Sequence, residues 1–215
     1  FTMNGDYKNA SQVLLALKRL QRADGGLWFG YNVNNDWPSE TDFEGSIERT
    51  GASAWAGYAA VFYVKTRLAA EPSALTNRDV KSALDFARSL GDYLLKLQIR
   101  TRPDPRYGLV TGGKNTFFLR RGIASVSEVF KAKEIDWIST EHNIDAFFFL
   151  RDLALLTKDE RYAESAGLIG GSLLGIWSEK DGQYYRGIKP VFPDTALALD
   201  CASWGAVFSL SVGRS

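Results

Sequence analysis

The chain alternates two kinds of apolar segment, and few architectures can use both in turn. Residues 9–21, 79–98 and 159–177 read as amphipathic helices, each with one apolar face. In the second, Leu84, Ala87, Leu90, Leu94 and Leu97 form a stripe opposite Lys81, Asp85, Arg88, Asp92 and Lys96. Gly170, Gly171 and Gly175 weaken the third. Residues 50–66, 140–156 and 194–210 are apolar on nearly every side, which predicts helices buried all round. Phe147, Phe148 and Phe149 cannot share one helix face, so the segment that carries them needs packing partners in several directions. No strand alternation competes with this reading. The expected fold class is all-α: three αα-hairpins within one α-helical domain spanning residues 1–215, the apolar helices inside and the amphipathic ones outside.

The amphipathic helices end in related signatures: Leu20-Gln21 before Asp24-Gly25-Gly26-Leu27-Trp28, Leu97-Gln98 before Tyr107-Gly108-Leu109-Val110, and Ile176-Trp177 before Asp181-Gly182-Gln183-Tyr184. Such recurrence points to three copies of one unit. Links from an apolar helix to the next amphipathic one are short. Links from an amphipathic helix to the next apolar one run to roughly 28, 41 and 16 residues, far beyond an ordinary helix–helix connection. In antiparallel hairpins the long links all emerge at one end, beside the N-termini of the inner helices. That end is where a site is expected.

Composition narrows the function classes. The charge is nearly balanced, with 26 Lys and Arg against 25 Asp and Glu, which argues against a nucleic-acid partner held by a basic surface. No apolar run reaches the roughly 18 residues of a membrane span. One Cys and one His leave no disulfide framework and no Cys- or His-based metal site. There is no glycine-rich phosphate loop and no nucleophile elbow, so no cofactor is expected. The location in the cell is left open.

At the starts of the inner helices the residues become familiar. Arg49-Thr50-Gly51 followed by Ala54-Trp55-Ala56-Gly57-Tyr58-Ala59 resembles an inner-helix start in bacterial six-hairpin glycosidase-like proteins. Trp137-Ile138-Ser139-Thr140-Glu141-His142-Asn143-Ile144-Asp145-Ala146 does so too, and Leu199-Asp200 with Ser203-Trp204-Gly205 resembles a later inner helix of the same group. The resemblance covers all three hairpins. It implies an (α/α)6 toroid acting on carbohydrate, of which three of six hairpins are present. The remaining half of the ring, or a partner chain, is then expected to cover the inner face. Terpene cyclases and protein prenyltransferases are a rival toroid, because their repeats carry motifs similar to Gln21 with Gly25-Gly26-Leu27-Trp28; the chain lacks their Asp-rich and zinc-binding sets.

The candidate catalytic residues are Glu141 and Asp145, four apart and so on one helix face. Glycoside hydrolysis uses two carboxylates, one as acid and one as base or nucleophile. The helix N-terminus favours the ionised form, which suits a base or a sugar-hydroxyl acceptor. The alternative is that both cap the helix. Candidate substrate-binding residues are His142, Trp137, Asn143, Trp55, Arg49, Asp42, Glu44, Asp200 and Trp204. Asp42 and Glu44 lie in an acidic loop with Trp37 and Phe43, where aromatic faces suit sugar C–H faces and carboxylates accept hydroxyl protons. Asp200 reads as a mid-helix residue that requires a partner. Asp42, Glu44, Glu48 and Asp200 are the candidates to face Glu141. Cys201 reads as a small buried side chain. The leading function is a glycoside hydrolase; the alternative is a non-catalytic glycan-binding or scaffold toroid.

Overall fold

The computed structural model describes residues 1–31, 47–115, 133–190 and 192–214. Among them are six helices: α1 (Tyr7–Leu20), α2 (Thr50–Ala70), α3 (Arg78–Leu97), α4 (Thr140–Thr157), α5 (Glu160–Leu174) and α6 (Leu199–Ser211). The six expected helices are all present. Helices α2, α4 and α6 form one layer in that order, and α1, α3 and α5 pack behind it. The predicted stripe of α3 is buried from Leu84 to Leu97, while Lys81, Asp85, Arg88 and Lys96 are exposed. Burying each such aliphatic side chain is worth about 1.5–3 kcal/mol, against at most about 1 kcal/mol for a surface ion pair, so this face fixes how the helix docks.

The three consecutive phenylalanines of α4 do face three ways. Phe149 is fully buried against α2, where Gly57 leaves room for its ring. Phe147 meets Phe208 of α6 edge-on at 5.1 Å. Phe148 tilts towards Trp204 at 6.4 Å. The inner helices are not buried all round, however. Trp55 is 48% exposed, Val207 44% and Leu210 76%, because nothing among the described residues packs on the far side of their layer.

Short strands, absent from the sequence reading, organise the long links. They are β1 (Ile47–Arg49), β2 (Gly113–Asn115), β3 (Lys133–Ile135), β4 (Ile138–Ser139), β5 (Trp177–Ser178), β6 (Gln183–Tyr184), β7 (Gly187–Ile188) and β8 (Pro193–Asp194). They pair antiparallel as β1-β2-β3, β4-β7-β8 and β5-β6. Strands of two or three residues show too little alternation to be read from sequence. Their placement repeats. The residue just before each of the first two inner helices pairs with a glycine: Arg49 with Gly113 and Ser139 with Gly187. A Cβ at either glycine would run into the carbonyl of Glu48 or of Ile138. The first helical residue then bonds to the same strand's approach. Thr50 donates its N–H to Gly112 (3.1 Å) and its hydroxyl to Thr111 (2.5 Å); Thr140 donates to Arg186 (2.9 Å) and Tyr185 (2.6 Å). The recurring glutamines also have a common task. Gln21 and Gln98 follow α1 and α3, and their side-chain amides close the next turn on the carbonyls of Gly25 (2.7 Å) and Gly108 (2.8 Å).

Three boundaries differ from expectation by three residues or more. α2 runs on to Ala70 rather than 66, α5 stops at Leu174 rather than 177, and α6 begins at Leu199 rather than 194. Pro193 and Asp194 belong to β8, where the Asp194 carboxylate is held by Arg186 at 2.7 Å. Asp200 therefore sits in the first turn of α6, not mid-helix. The charged residue Glu48 is fully buried on the other side of β1, ion-paired with Arg22 and hydrogen-bonded by Tyr93 (3.3 Å); it does not face Glu141.

These contacts yield a paired test by thermal denaturation. Gly57→Ala is expected to destabilise by about 1–3 kcal/mol, because the added methyl meets the Phe149 ring in a filled interior. Gly167→Ala on the exposed face of α5, where nothing lies within 4 Å, is expected to stabilise by about 0.5–1 kcal/mol.

Candidate functional site

The link geometry brings the starts of α4 and α6 together. Glu141 lies in the first turn of α4 and Asp200 in the first turn of α6, and both line one pocket, where the Asp200 charge acts on the Glu141 carboxyl. Two carboxylates so placed cannot both ionise cheaply. Burial, then the Asp200 charge, push Glu141 above the usual carboxylate range, with Arg49 opposing. The helix N-terminus acts the other way, favouring the ionised form by about 0.3–1 kcal/mol, and desolvation with a neighbouring acid outweighs it.

Around this pair lies a pocket of about 690 Å³. Arg49, Trp137, Ser139, His142, Arg186 and Asp200 line it with Glu141. Each element has a reason to be there. Arg49 ends β1 and caps α2, and its guanidinium stacks on Phe29 at 4.7 Å. Trp137 precedes β4 and tilts against His142 at 5.7 Å. The imidazole packs over Gly51, which has no side chain to block it. Burial and the Arg49 charge lower the His142 pKa to about 4, so the ring is neutral at pH 7, and its Nδ1 is buried without a hydrogen-bond partner. A neutral imidazole can donate or accept a hydrogen bond from a sugar hydroxyl. Cys201 beside Asp200 is pushed up to about 12 by burial, which makes it an inert thiol.

Asp145 is one turn further along α4 and belongs to a different recess. Its Oδ1 accepts a 2.6 Å hydrogen bond from the Trp204 indole. Trp204 in turn stacks on Trp55 at 5.7 Å, with the ring planes 11° apart. Burial raises Asp145 to about 7 in spite of hydrogen bonding from Trp204 and Trp55, and the Glu141 charge adds to the rise. Its other oxygen, Oδ2, is buried and makes no well-formed hydrogen bond.

Of the sequence candidates, Glu141, His142, Trp137, Arg49 and Asp200 meet in one pocket, and Asp145, Trp55 and Trp204 meet in the neighbouring recess. Asn143 joins neither. It is fully buried, and its amide is used up on backbone: it accepts from the Val110 N–H (2.8 Å) and donates to the carbonyls of Val110 (3.0 Å) and Ser139 (2.9 Å). It ties α4 to the strand end instead of facing a ligand. Asp42 and Glu44, with Trp37 and Phe43, lie outside the described residues. Sequence reasoning missed Tyr58, Phe148, Arg151 and Arg186. A signal for three of them was present: Phe148 and Arg151 continue the face of Glu141 and Asp145 at helical spacing, and Tyr58 follows Trp55 by three. Among the described residues no group of His, Cys, Asp or Glu is placed to hold a metal ion, and no helix is long and apolar enough to cross a membrane.

No protein-family model matches the chain, and no curated protein does. Among solved structures it is similar to cellobiose 2-epimerase from Bacillus thermoamylovorans B4167, at 13% sequence identity and a TM-score of 0.64. The match covers 97% of this chain and 47% of that one, so the chain spans about half the length of the solved structure it resembles. At this identity the likeness concerns the fold alone: the chain has the architecture of a partial (α/α)6 toroid.

Proposed function

We propose that this chain forms part of a carbohydrate-active enzyme, with the Glu141–Asp200 carboxyl pair as its proton-transfer group. The observation that supports this most is the pair itself: two acids in the first turns of adjacent inner helices, lining one open pocket, with burial and the Asp200 charge pushing the Glu141 carboxyl above its usual range. A carboxyl group whose pKa is raised is better suited to general acid catalysis than an ordinary one. Trp137, His142 and Arg49 surround the pair with an aromatic face and polar groups of the kind that bind sugar. The remainder of the ring, in the same protein or a partner chain, completes the cavity in this reading.

Glycoside hydrolysis is the leading reaction, with Glu141 as acid. The catalytic carboxyls of a glycosidase stand about 5–5.5 Å apart in retaining enzymes or about 6.5–9.5 Å in inverting ones. Glu141 feels the Asp200 charge directly, so the two are treated as one unit and a separate carboxylate completes hydrolysis. A second reading is proton exchange at a single carbon of a reducing sugar, as in an epimerase. That reading also agrees with the named activity of the similar structure, a fold-level analogy.

The assay is incubation of full-length protein with an oligosaccharide panel, scoring new reducing ends for hydrolysis and unchanged mass with altered stereochemistry for epimerisation. Glu141→Gln is expected to lower turnover by roughly 10²-fold or more with little change in folding stability. Unchanged turnover with a lowered melting temperature would make Glu141 a structural cap. Because Glu141 acts as an acid, the rate is expected to fall as pH rises through its elevated pKa.

Stability carries a second pH signature, from Asp145. Between its ordinary value of 3.8 and about 7, the folded chain holds a proton that the unfolded chain has released. Stability from this group is complete below the lower value and is lost as pH rises through the upper one, at up to about 1.4 kcal/mol per pH unit. Asp145→Asn, which can still accept from Trp204, is expected to flatten the decline in melting temperature between about pH 4 and 7.

A further inference from the structure

Next to the carboxyl pair, the inner face carries a slot of about 160 Å³ between α2, α4 and α6. Trp55, Tyr58, Phe148, Arg151 and Trp204 line it, with Asp145 among them. Three features separate it from a gap in the core. First, its aromatic wall is exposed: Trp55 is 48% accessible and stacked on Trp204, whose indole N–H is committed to Asp145. Second, Asp145 is only 6% exposed, yet its Oδ2 makes no well-formed hydrogen bond, the Trp55 indole alone lying near enough to stabilise the charge. A buried polar atom left unpaired costs about 1–3 kcal/mol, and a ligand hydroxyl would relieve that cost. Third, Arg151 stands at the rim, stacked on Phe148 at 4.9 Å and paired with Asp152 at 2.8 Å, so its guanidinium is held in place beside the opening.

The slot has the capacity for one six-membered ring, since a cavity of about 150 Å³ holds benzene. Its chemistry selects among rings. A flat apolar wall, a buried carboxyl oxygen that can bond a hydroxyl, and a fixed guanidinium at the edge fit a pyranose, which has C–H faces and equatorial hydroxyls. In a toroid the inner helices face the ring axis, and in this reading the rest of the ring lies across the cavity from the slot.

We infer that this slot is a separate sugar-binding subsite, one glycosyl unit along the inner face from the Glu141–Asp200 pair, in which Trp55 and Trp204 present the stacking surface and Asp145 Oδ2 bonds a ring hydroxyl. The inference rests on the carbohydrate reading above and changes one assignment within it. Asp145, a catalytic candidate by sequence, becomes a residue that binds and positions substrate. The minimum substrate is then longer than one sugar, and the glycan runs parallel to α4 from its first turn towards Arg151.

The test is calorimetric titration of full-length protein with glucose, cellobiose and cellotriose, together with indole fluorescence. Wild-type affinity is expected to rise with length. Trp55→Ala, at an exposed position that leaves the core intact, is expected to weaken the longer saccharides roughly tenfold or more, about 1.4 kcal/mol, and to remove the gain with length. Glucose binding should change little. Asp145→Asn, with shape retained, should reproduce the loss in part. If all three sugars weaken equally, or the variants bind cellotriose like wild type, the slot is not a distinct subsite, although the carbohydrate reading stands. If Trp55→Ala only lowers the melting temperature, the slot is filled by another part of the protein and the inference falls. If wild type binds none of these sugars nor any of the oligosaccharide panel, the carbohydrate reading falls and takes this one with it.

Discussion

Thr50 and Thr140 begin the first two inner helices with no exposed surface, and each gives both its N–H and its hydroxyl to carbonyls of the following unit's strand. The first N–H groups of any helix have no partner within the helix, and burying them unpaired costs about 1–3 kcal/mol each. Here the next unit supplies the acceptors, so each inner helix is locked in position only when its neighbour has folded beside it. Gly113 and Gly187 make this approach possible, since a Cβ at either would strike backbone. The inner-helix starts are thereby held at one end of the layer, beneath the long links. The placement of Glu141, His142 and Asp200 follows from that constraint.

The electrostatics of the site come from the same convergence. A first-turn acid normally gains a little from the helix dipole and stays ionised. Bringing two helix starts together places two such acids on one pocket wall, and partial burial removes the water that would screen them. The desolvation and like-charge effects exceed the dipole, so the Glu141 carboxyl rises above its usual range. His142 responds to the same burial in the opposite direction, because for an imidazole the charged form is the protonated one. The site thus combines an acid whose pKa is raised with a histidine whose pKa is lowered, an arrangement set by environment rather than by residue type.

Much of the helical scaffold was legible. Full-length periodicity placed all six helices, and three consecutive phenylalanines showed that α4 must pack on several sides, as Phe147, Phe148 and Phe149 do. The strands were not legible, because two or three residues cannot establish a period of two. Nor was the start of α6, where an apolar run continues through a strand and an irregular stretch without changing character. Moving that boundary from 194 to Leu199 is what carried Asp200 from a mid-helix position to the first turn.

By itself the sequence determined the layer order and the end at which a site would form, because amphipathic periodicity and link length are local properties of the chain. It also brought Glu141 and Asp145 onto one helix face. Only the tertiary structure decided that Asp200 is the acid sharing a pocket with Glu141, that Glu48 is buried elsewhere, and that Asn143 is tied to Val110. It likewise separated Asp145 into a recess with Trp55 and Trp204. The physical reason is that a carboxyl group's partner and proton affinity depend on burial and on charges brought in from other elements, and neither quantity is encoded in the spacing along one helix.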